Sequence, residues 1–427
     1  MAELLREYDG MKLWADRADS AEYDSEGNRI SDSLVPACTD RNIQVLTNDG
    51  ETSGWSYDRT VPFTMHIPDS YYNPLGLPPY TIRVKMYDSS VDPTGWTGTW
   101  TRVPGTTDTW DCTYENPDWT DLFSTRWDIL EVLGGNTSGV TNMSYMFNGW
   151  DRSTQSSNSR LERVALFDTS NVVNMEWMFC ECHSLVSVPA FDTGKVTTME
   201  GIFDYCTSLS EIPFMDLSNV TTLEYAFDFT AIRTIPPFNT SKVTTMESAF
   251  SGCASLETIP LIDTSSVVTM ENTFESCESL VSIPLLDTRN VTTMRQTFAG
   301  CSSLTTVPLL DTSHVTTMEA MFNSCESLVS VPLLDTSSVE NMDSMFEYCG
   351  ELVTIPLFDT SSATNMDNMF DACENVQTGA LALYTQASTQ ATPPASYDGC
   401  FTRCGINTVT GAAELAQIPA SWGGTAT

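Results

Sequence analysis

"DTSHVTTMEAMFNSCESLVSVPLL" (residues 311–334) runs directly into "DTSSVENMDSMFEYCGELVTIPLF" (335–358). Aligned on this Asp-Thr-Ser start, units begin at Asp168, Asp192, Asp216, Asn239, Asp263, Asp287, Asp311, Asp335 and Asp359, with steps of 24 residues except for one of 23. A fixed period of this size marks a stacked-repeat architecture, in which no unit buries its apolar face alone and each takes the next as a lid. Within 263–286, Val267, Met270, Phe274 and Cys277 are spaced by three, four and three residues, the period of one helical face, so this half predicts a short helix. Leu280, Ile283 and Leu285 follow an L-x-x-L-x-L pattern, which predicts a short strand with these three side chains inward.

The polar positions agree with that reading. Thr197, Thr221, Thr244 and Thr316 each precede a glutamate by three residues (Glu200, Glu224, Glu247, Glu319), the spacing of a capping box at a helix start. Pro189, Pro213, Pro236, Pro260, Pro284, Pro308, Pro332 and Pro356 follow the inward Val or Ile, where a proline cannot donate to a ladder, so each strand should be very short. Cys182, Cys206, Cys253, Cys277, Cys301, Cys325, Cys349 and Cys373 fall in one column, with Thr230 in the odd unit. They read as small buried packing groups with free thiols; bridging alternate rungs would distort an even stack.

Composition bounds what the repeats serve. Acidic residues outnumber basic ones 56 to 19, a formal charge of −37 that repels phosphate backbones and anionic lipid surfaces. Nucleic acid and membrane insertion are therefore not expected, and no apolar run reaches the length of a membrane span. The start, "MAELLREYDGMKLWADRADS", carries charges where a secretory core would lie, which predicts no export signal.

The flanks divide the chain. Residues 1–36 are polar and acidic, too short to fold alone, and read as an attachment or oligomerising segment. Residues 37–115 alternate β-formers with Pro, Gly and Asp turns, predicting a small antiparallel β domain with a hairpin over "WTRVPGTTDTWDCTYE". Residues 116–167 read as an N-terminal cap and first degenerate repeats, with Trp119, Phe123, Ile129 and Val132 as its apolar set and "DRSTQSSNSR" as an exposed loop. Nine 24-residue repeats occupy 168–376, and 377–427 closes the core through Phe401, Cys404, Leu415, Ile418 and Trp422.

The pattern "DTS-V-M-F-C-SL-P", as in "LLDTSHVTTMEAMFNSCESLVSVP" (309–332), resembles the BspA-like class of leucine-rich repeats over roughly 136–376. That resemblance implies an α/β solenoid, a right-handed superhelix of short helices and strands that acts as a binding or adhesion surface without catalysis. "YDGMKLWADRADSAEYDSEGNRI" is similar to leading segments of phage fibre and appendage proteins. "GALALYTQAS" and "CFTRCGINTVTGAAELAQIPASWGG" resemble the closing segment of BspA-like proteins encoded by gut bacteriophages. Together they imply a virion fibre or appendage protein released by lysis, joined to other virion proteins through residues 1–36, forming a homo-oligomer and contacting a host surface protein or glycan. The alternative is a bacterial cell-surface adhesin with the same repeats.

Chemistry has little foothold. His66, His183 and His314 sit in no nucleophile or metal motif, and His314 reads as solvent-facing. "CECH" (180–183) has zinc-ligand types, but no second pair complements it. No G-x-S-x-G, P-loop or dinucleotide fingerprint occurs, so neither enzymatic activity nor a cofactor is expected. An active site confined to 37–115 would have one histidine to work with.

Two columns remain as candidate sites. The aspartates at the unit starts would stand about 5 Å apart in a regular stack. Calcium at Asp263, Asp287, Asp311 and Asp335 would relieve their repulsion, but a carboxylate capping its own turn explains them more simply, and Asn239 substitutes for it. Ser187, Glu211, Thr234, Thr258, Ser282, Thr306, Ser330 and Thr354 precede the inward Val or Ile and should point outward as a ligand face. Trp96, Trp100, Trp110, Trp119 and Trp127 cluster for core packing in preference to sugar stacking.

Overall fold

A computed structural model describes residues 73–426, apart from 152–154 and 158, together with six short strands before them. The chain forms two compact units, Met1–Tyr71 and Tyr72–Thr427. In the first, Glu3–Tyr8 pairs antiparallel with Met11–Ala15, Glu22–Tyr23 with Arg29–Ile30, and Val45–Asn48 with Trp55–Asp58. The rest of the expected attachment segment, 1–36, lies outside the described residues.

The second unit begins with a sheet. Strands β1 (Thr81–Met86), β2 (Thr99–Arg102), β3 (Thr109–Thr113) and β4 (Ile129–Asn136) are followed by the small hairpin of β5 (Trp150–Asp151) and β6 (Ser156–Ser157), and then by β7 (Arg163–Val164). The five-stranded order is β7-β4-β1-β3-β2. The expected hairpin forms as β2–β3, with Thr99 opposite Thr113. The sheet's inward residues Ile82 and Val84 of β1 and Trp110 and Cys112 of β3 are buried. Strand β4 pairs parallel with β7, and Arg163 of β7 in turn bridges Ser187, so the edge of this sheet is continued by the first repeats.

From there the chain stacks rung upon rung through two lines of parallel bridges. One runs Asn142, Asn174, Thr198, Thr222, Thr245, Thr269, Thr293, Thr317, Asn341, Asn365, Ser396; the other includes Thr234, Thr258, Ser282, Thr306, Ser330. Where a rung takes part in a line it does so through a single bridging residue, in keeping with the proline just beyond the second.

The helix expected over Val267–Cys277 and its equivalents does not form; its place is taken by linked turns. The amides of Met270, Asn272, Phe274 and Ser276 donate to the carbonyls of Thr293, Arg295, Thr297 and Ala299 in the next rung, at 3.2, 2.9, 2.9 and 2.6 Å. The intervening amides of Thr273, Glu275 and Cys277 close turns onto Met270, Asn272 and Phe274. A helix satisfies every backbone group within itself; this segment sends every second donor sideways. The geometry requires left-handed backbone at two places per repeat, such as Asn272 (φ 53°) and Ser276 (φ 57°). The 3-4-3 spacing is common to both conformations, because turns closed over three residues also return Met, Phe and Cys to one side.

The capping boxes dissolve with the helix. The hydroxyls of Thr197, Thr221, Thr244 and Thr316 donate to the carbonyls of Val173, Thr197, Thr221 and Thr292 in the preceding rung, at 3.1–3.2 Å. One strand position is also corrected. Leu285 is 61% exposed, while Leu286 is buried. The chain stops alternating after Ile283 because Pro284 ends the one-residue strand, and only one leucine of the pair then reaches the core.

Side chains lock the stack along three lines. The Phe column, from Phe123 through Phe147, Phe179, Phe203, Phe227, Phe250, Phe274, Phe298, Phe322, Phe346 and Phe370 to Phe401, is a continuous ring ladder with centroids 5.2–5.9 Å apart. Trp100 meets its first ring edge-on and Trp422 stacks near its last. The buried Thr of the Asp-Thr-Ser starts donates to the next unit's starting carbonyl, as Thr264 does to Asp287 (2.9 Å), and in the last unit Thr360 donates to the Gln390 side-chain oxygen. The column thiols donate to the Phe carbonyl of the preceding rung, as Cys277 does to Phe250 (3.2 Å). At the far end α1 (Ala380–Thr389) and α2 (Val409–Leu415) cover the last rungs, with Leu383, Leu415, Ile418 and Trp422 buried.

Phe298 sits fully packed between Phe274 and Phe322, whereas Leu309 is 61% exposed. Phe298→Ala is expected to lower unfolding free energy by about 3–5 kcal/mol, and Leu309→Ser by less than about 0.5 kcal/mol. Urea titration of both variants checks this; similar losses would contradict the ladder's role.

Candidate functional site

The interior of the repeat stack is given over to packing, so what it can offer a ligand lies in its exposed columns. All eight residues of the expected ligand face, Ser187, Glu211, Thr234, Thr258, Ser282, Thr306, Ser330 and Thr354, are exposed. Thr234, Thr258, Ser282, Thr306 and Ser330 are brought together rung by rung in one bridge ladder, while Ser187 bridges Arg163 and Thr354 bridges Thr378. The result is a row of short hydroxyls on rigid backbone.

The aspartate column has a different character. Asp168, Asp192, Asp216, Asp263, Asp287, Asp311, Asp335 and Asp359 each accept the amide two residues on, at 2.8–3.4 Å, and Asn239 does the same. The hydroxyls of Ser265, Ser313 and Ser337 add second bonds at 2.6–2.7 Å. Bonds from Arg289, Ser313 and Ser337 hold Asp287, Asp311 and Asp335 below the usual carboxylate range. These are the turn caps of the Asp-Thr-Ser start, and among the described residues no group of three His, Cys, Asp or Glu is placed to hold a metal.

A third column was hidden by the capping-box reading. Glu176, Glu200, Glu224, Glu247, Glu271, Arg295, Glu319, Asp343 and Asp367 occupy one repeat position. Arg295 bridges Glu271 and Glu319 on either side, at 3.0 and 3.1 Å. Burial, and then neighbouring glutamates, push Glu200, Glu224 and Glu247 upward.

The remaining candidates resolve into packing. The described cysteines are free and buried; desolvation pushes Cys182, Cys253 and Cys301 up to about 12. In "CECH", Cys182 donates to Phe147 and Cys180 to Asp204, while His183 pairs with Glu181 at 2.9 Å. His314 is exposed, with Nδ1 at 3.0 Å from the Arg289 carbonyl oxygen. Trp100, Trp110 and Trp119 are buried, Trp96 packs edge-on against Trp100, and Trp127 donates to the Gly149 carbonyl.

Two features had no clear reading in the sequence. An exposed apolar stripe comprises Phe214, Leu261, Leu285, Leu309, Leu333 and Leu357, all 47–72% exposed. Its signal is the pair of large apolar residues before these aspartates, as in Leu285-Leu286, of which only one can point inward. The other is a pair of buried carboxylates on neighbouring rungs, Asp204 and Asp228, each with Oδ1 lacking a hydrogen-bond partner. Burial raises both to about 7; Asp228 adds to the effect on Asp204, while a Ser251 bond opposes it at Asp228.

These exposed rows, one residue to a rung, define a stacked-repeat protein. The chain belongs to the family described as "Mycoplasma protein of unknown function, DUF285", which it matches over 118–234, 221–330 and 281–384. It is similar to a leucine-rich repeat protein from Eubacterium ventriosum at 14% identity and a TM-score of 0.28, over 58% of this chain and 84% of that one. It is also similar to a chain of the TLR13–ssRNA13 complex at 14% identity and a TM-score of 0.26, over 57% of this chain and 34% of that one. No curated protein matches it. Among the described residues no helix is long and apolar enough to cross a membrane.

Two expectations follow. Because Asp204 and Asp228 titrate above their ordinary value in the folded state, the stability they contribute is full below about 4 and lost as pH rises through about 7. The double variant Asp204→Asn/Asp228→Asn should therefore gain on the wild type by at least about 2 °C in Tm between pH 5 and pH 8; a constant difference would contradict this. Because the aspartates cap their own turns, chelation with EDTA should leave Tm unchanged; a drop would assign a cation to the column.

Proposed function

We propose that this protein is a non-enzymatic virion structural protein of a bacteriophage, a head or tail fibre or decoration. In this reading a right-handed superhelical leucine-rich repeat stack presents its outer columns to a host surface protein or glycan. The observation that carries the binding function is the row Thr234, Thr258, Ser282, Thr306 and Ser330, exposed and held at rung spacing by the bridge ladder. Extended repeat surfaces bind through such rows, because adjacent rungs offer the same small group at a fixed interval. The virion setting is supported by the resemblance of residues 8–30 to leading segments of phage fibre proteins and of the closing segment to that of phage-encoded BspA-like proteins, with 1–36 joining other virion proteins in a homo-oligomer. Outside the cell after lysis, the net charge of −37 keeps such an appendage off nucleic acid and anionic lipid.

The same surface serves a bacterial cell-surface adhesin, and the family's description as a Mycoplasma protein favours that second reading. Immunogold labelling with antibody against 136–376 separates the two. Gold on purified particles, lost when 1–36 is deleted, is the expected result; gold only on washed host cells replaces the virion by the adhesin. Replacing Thr258, Ser282 and Thr306 by Lys is expected to lower attachment to host cells at least tenfold. Unchanged attachment would remove the hydroxyl row from the function.

A further inference from the structure

The exposed leucines are the feature of the stack that packing leaves unexplained. Leu261, Leu285, Leu309, Leu333 and Leu357 stand on five successive rungs at 53–72% exposure, with Phe214 further along the same position. A solvated repeat surface has no need of a large apolar side chain at one position in rung after rung, and a contiguous apolar row rimmed by charge marks a docking surface. Two residues beyond each leucine stands an aspartate, Asp263, Asp287, Asp311, Asp335 or Asp359, with the buried Ile, Leu or Phe between them turned inward. The leucine row therefore runs beside a row of carboxylates.

We propose that this double row docks a basic amphipathic α-helix of a partner protein, laid along the axis of the stack. The spacing selects a helix. Rungs succeed one another at about 4.8 Å along a bridge ladder, and the stacked rings inside them at 5.2–5.8 Å between Phe227 and Phe346. A helix returns a side chain to the same face about every 5.4 Å, so one apolar residue per turn meets one leucine per rung over about four turns. An extended segment places same-face side chains about 6.7 Å apart and loses register within two rungs. The charge selects the sign. Lysines and arginines flanking the apolar face of such a helix meet the aspartate row, while the same row of a second copy, lined by its own aspartates, is repelled from it.

This inference rests on reading the stack as a binding surface and names the partner chemistry for one of its rows. The test uses the full chain and a fluorescent peptide of about 18 residues with leucine at every helical third and fourth position and lysine elsewhere. A scrambled peptide of identical composition, whose leucines share no helical face, is the control. The helical peptide is expected to bind at least tenfold more tightly than the scrambled one by fluorescence anisotropy. Leu285→Ser/Leu309→Ser/Leu333→Ser, with an unchanged circular dichroism spectrum, should abolish that preference. Equal binding of the two peptides, or a preference that survives in the triple variant, overturns the proposal. So does self-association of the wild type that the triple variant loses, which would make the occupant a second copy. None of these outcomes alters the gold labelling or the effect of the hydroxyl-row substitutions, so the failure of one reading is distinguishable from that of the other.

Discussion

The architecture depends on where the amides of the turn segments send their hydrogen bonds. Each of Met270, Asn272, Phe274 and Ser276 donates to the next rung, and equivalent residues do so along the stack. A buried donor must be satisfied somewhere, and here the only satisfied state is one in which the neighbouring rung is already in place. Isolated units are thereby ruled out, and the length of the array becomes part of its stability. The Phe rings, the column thiols and the buried threonines all act in the same direction, each tying one rung to an adjacent one.

That constraint also makes the surface. Because every rung is held to its neighbour by backbone, any residue type placed at one repeat position becomes a line. Hydroxyls, turn-capping carboxylates, half-buried glutamates and leucines each form such a line. The thiols serve the stack itself and the carboxylates both cap their turns and flank the leucines, while the hydroxyl and leucine rows turn their chemistry outward. Replacing one residue changes one point of a line and leaves the spacing of the rest in place.

Much of this was legible in the sequence. The period, the inward Val, Met, Phe, Cys and Leu, the brief strand before proline, and the outward hydroxyl row follow from repeat position alone. What misled was the 3-4-3 spacing of Val267, Met270, Phe274 and Cys277, which helices and linked turns share. The discriminating letters were Gly201, Gly252 and Gly300, which stand at the two left-handed positions of their repeats (φ 56°, 66° and 73°). A helix does not want glycine there, and a left-handed turn does. The Asp204–Asp228 pair was not legible, since burial of a carboxylate depends on the neighbouring rung and not on its own repeat position.

Ala320 puts the central claim to a direct test, because it occupies a left-handed position (φ 51°) without a glycine's freedom. In a helix, Ala→Gly costs about 1 kcal/mol; at a left-handed turn the same change relieves strain on the order of 1 kcal/mol. Denaturant titration of Ala320→Gly should show a protein as stable as the wild type or more so. A loss of about 1 kcal/mol would restore the helix and contradict the rung-to-rung hydrogen bonding on which this account stands.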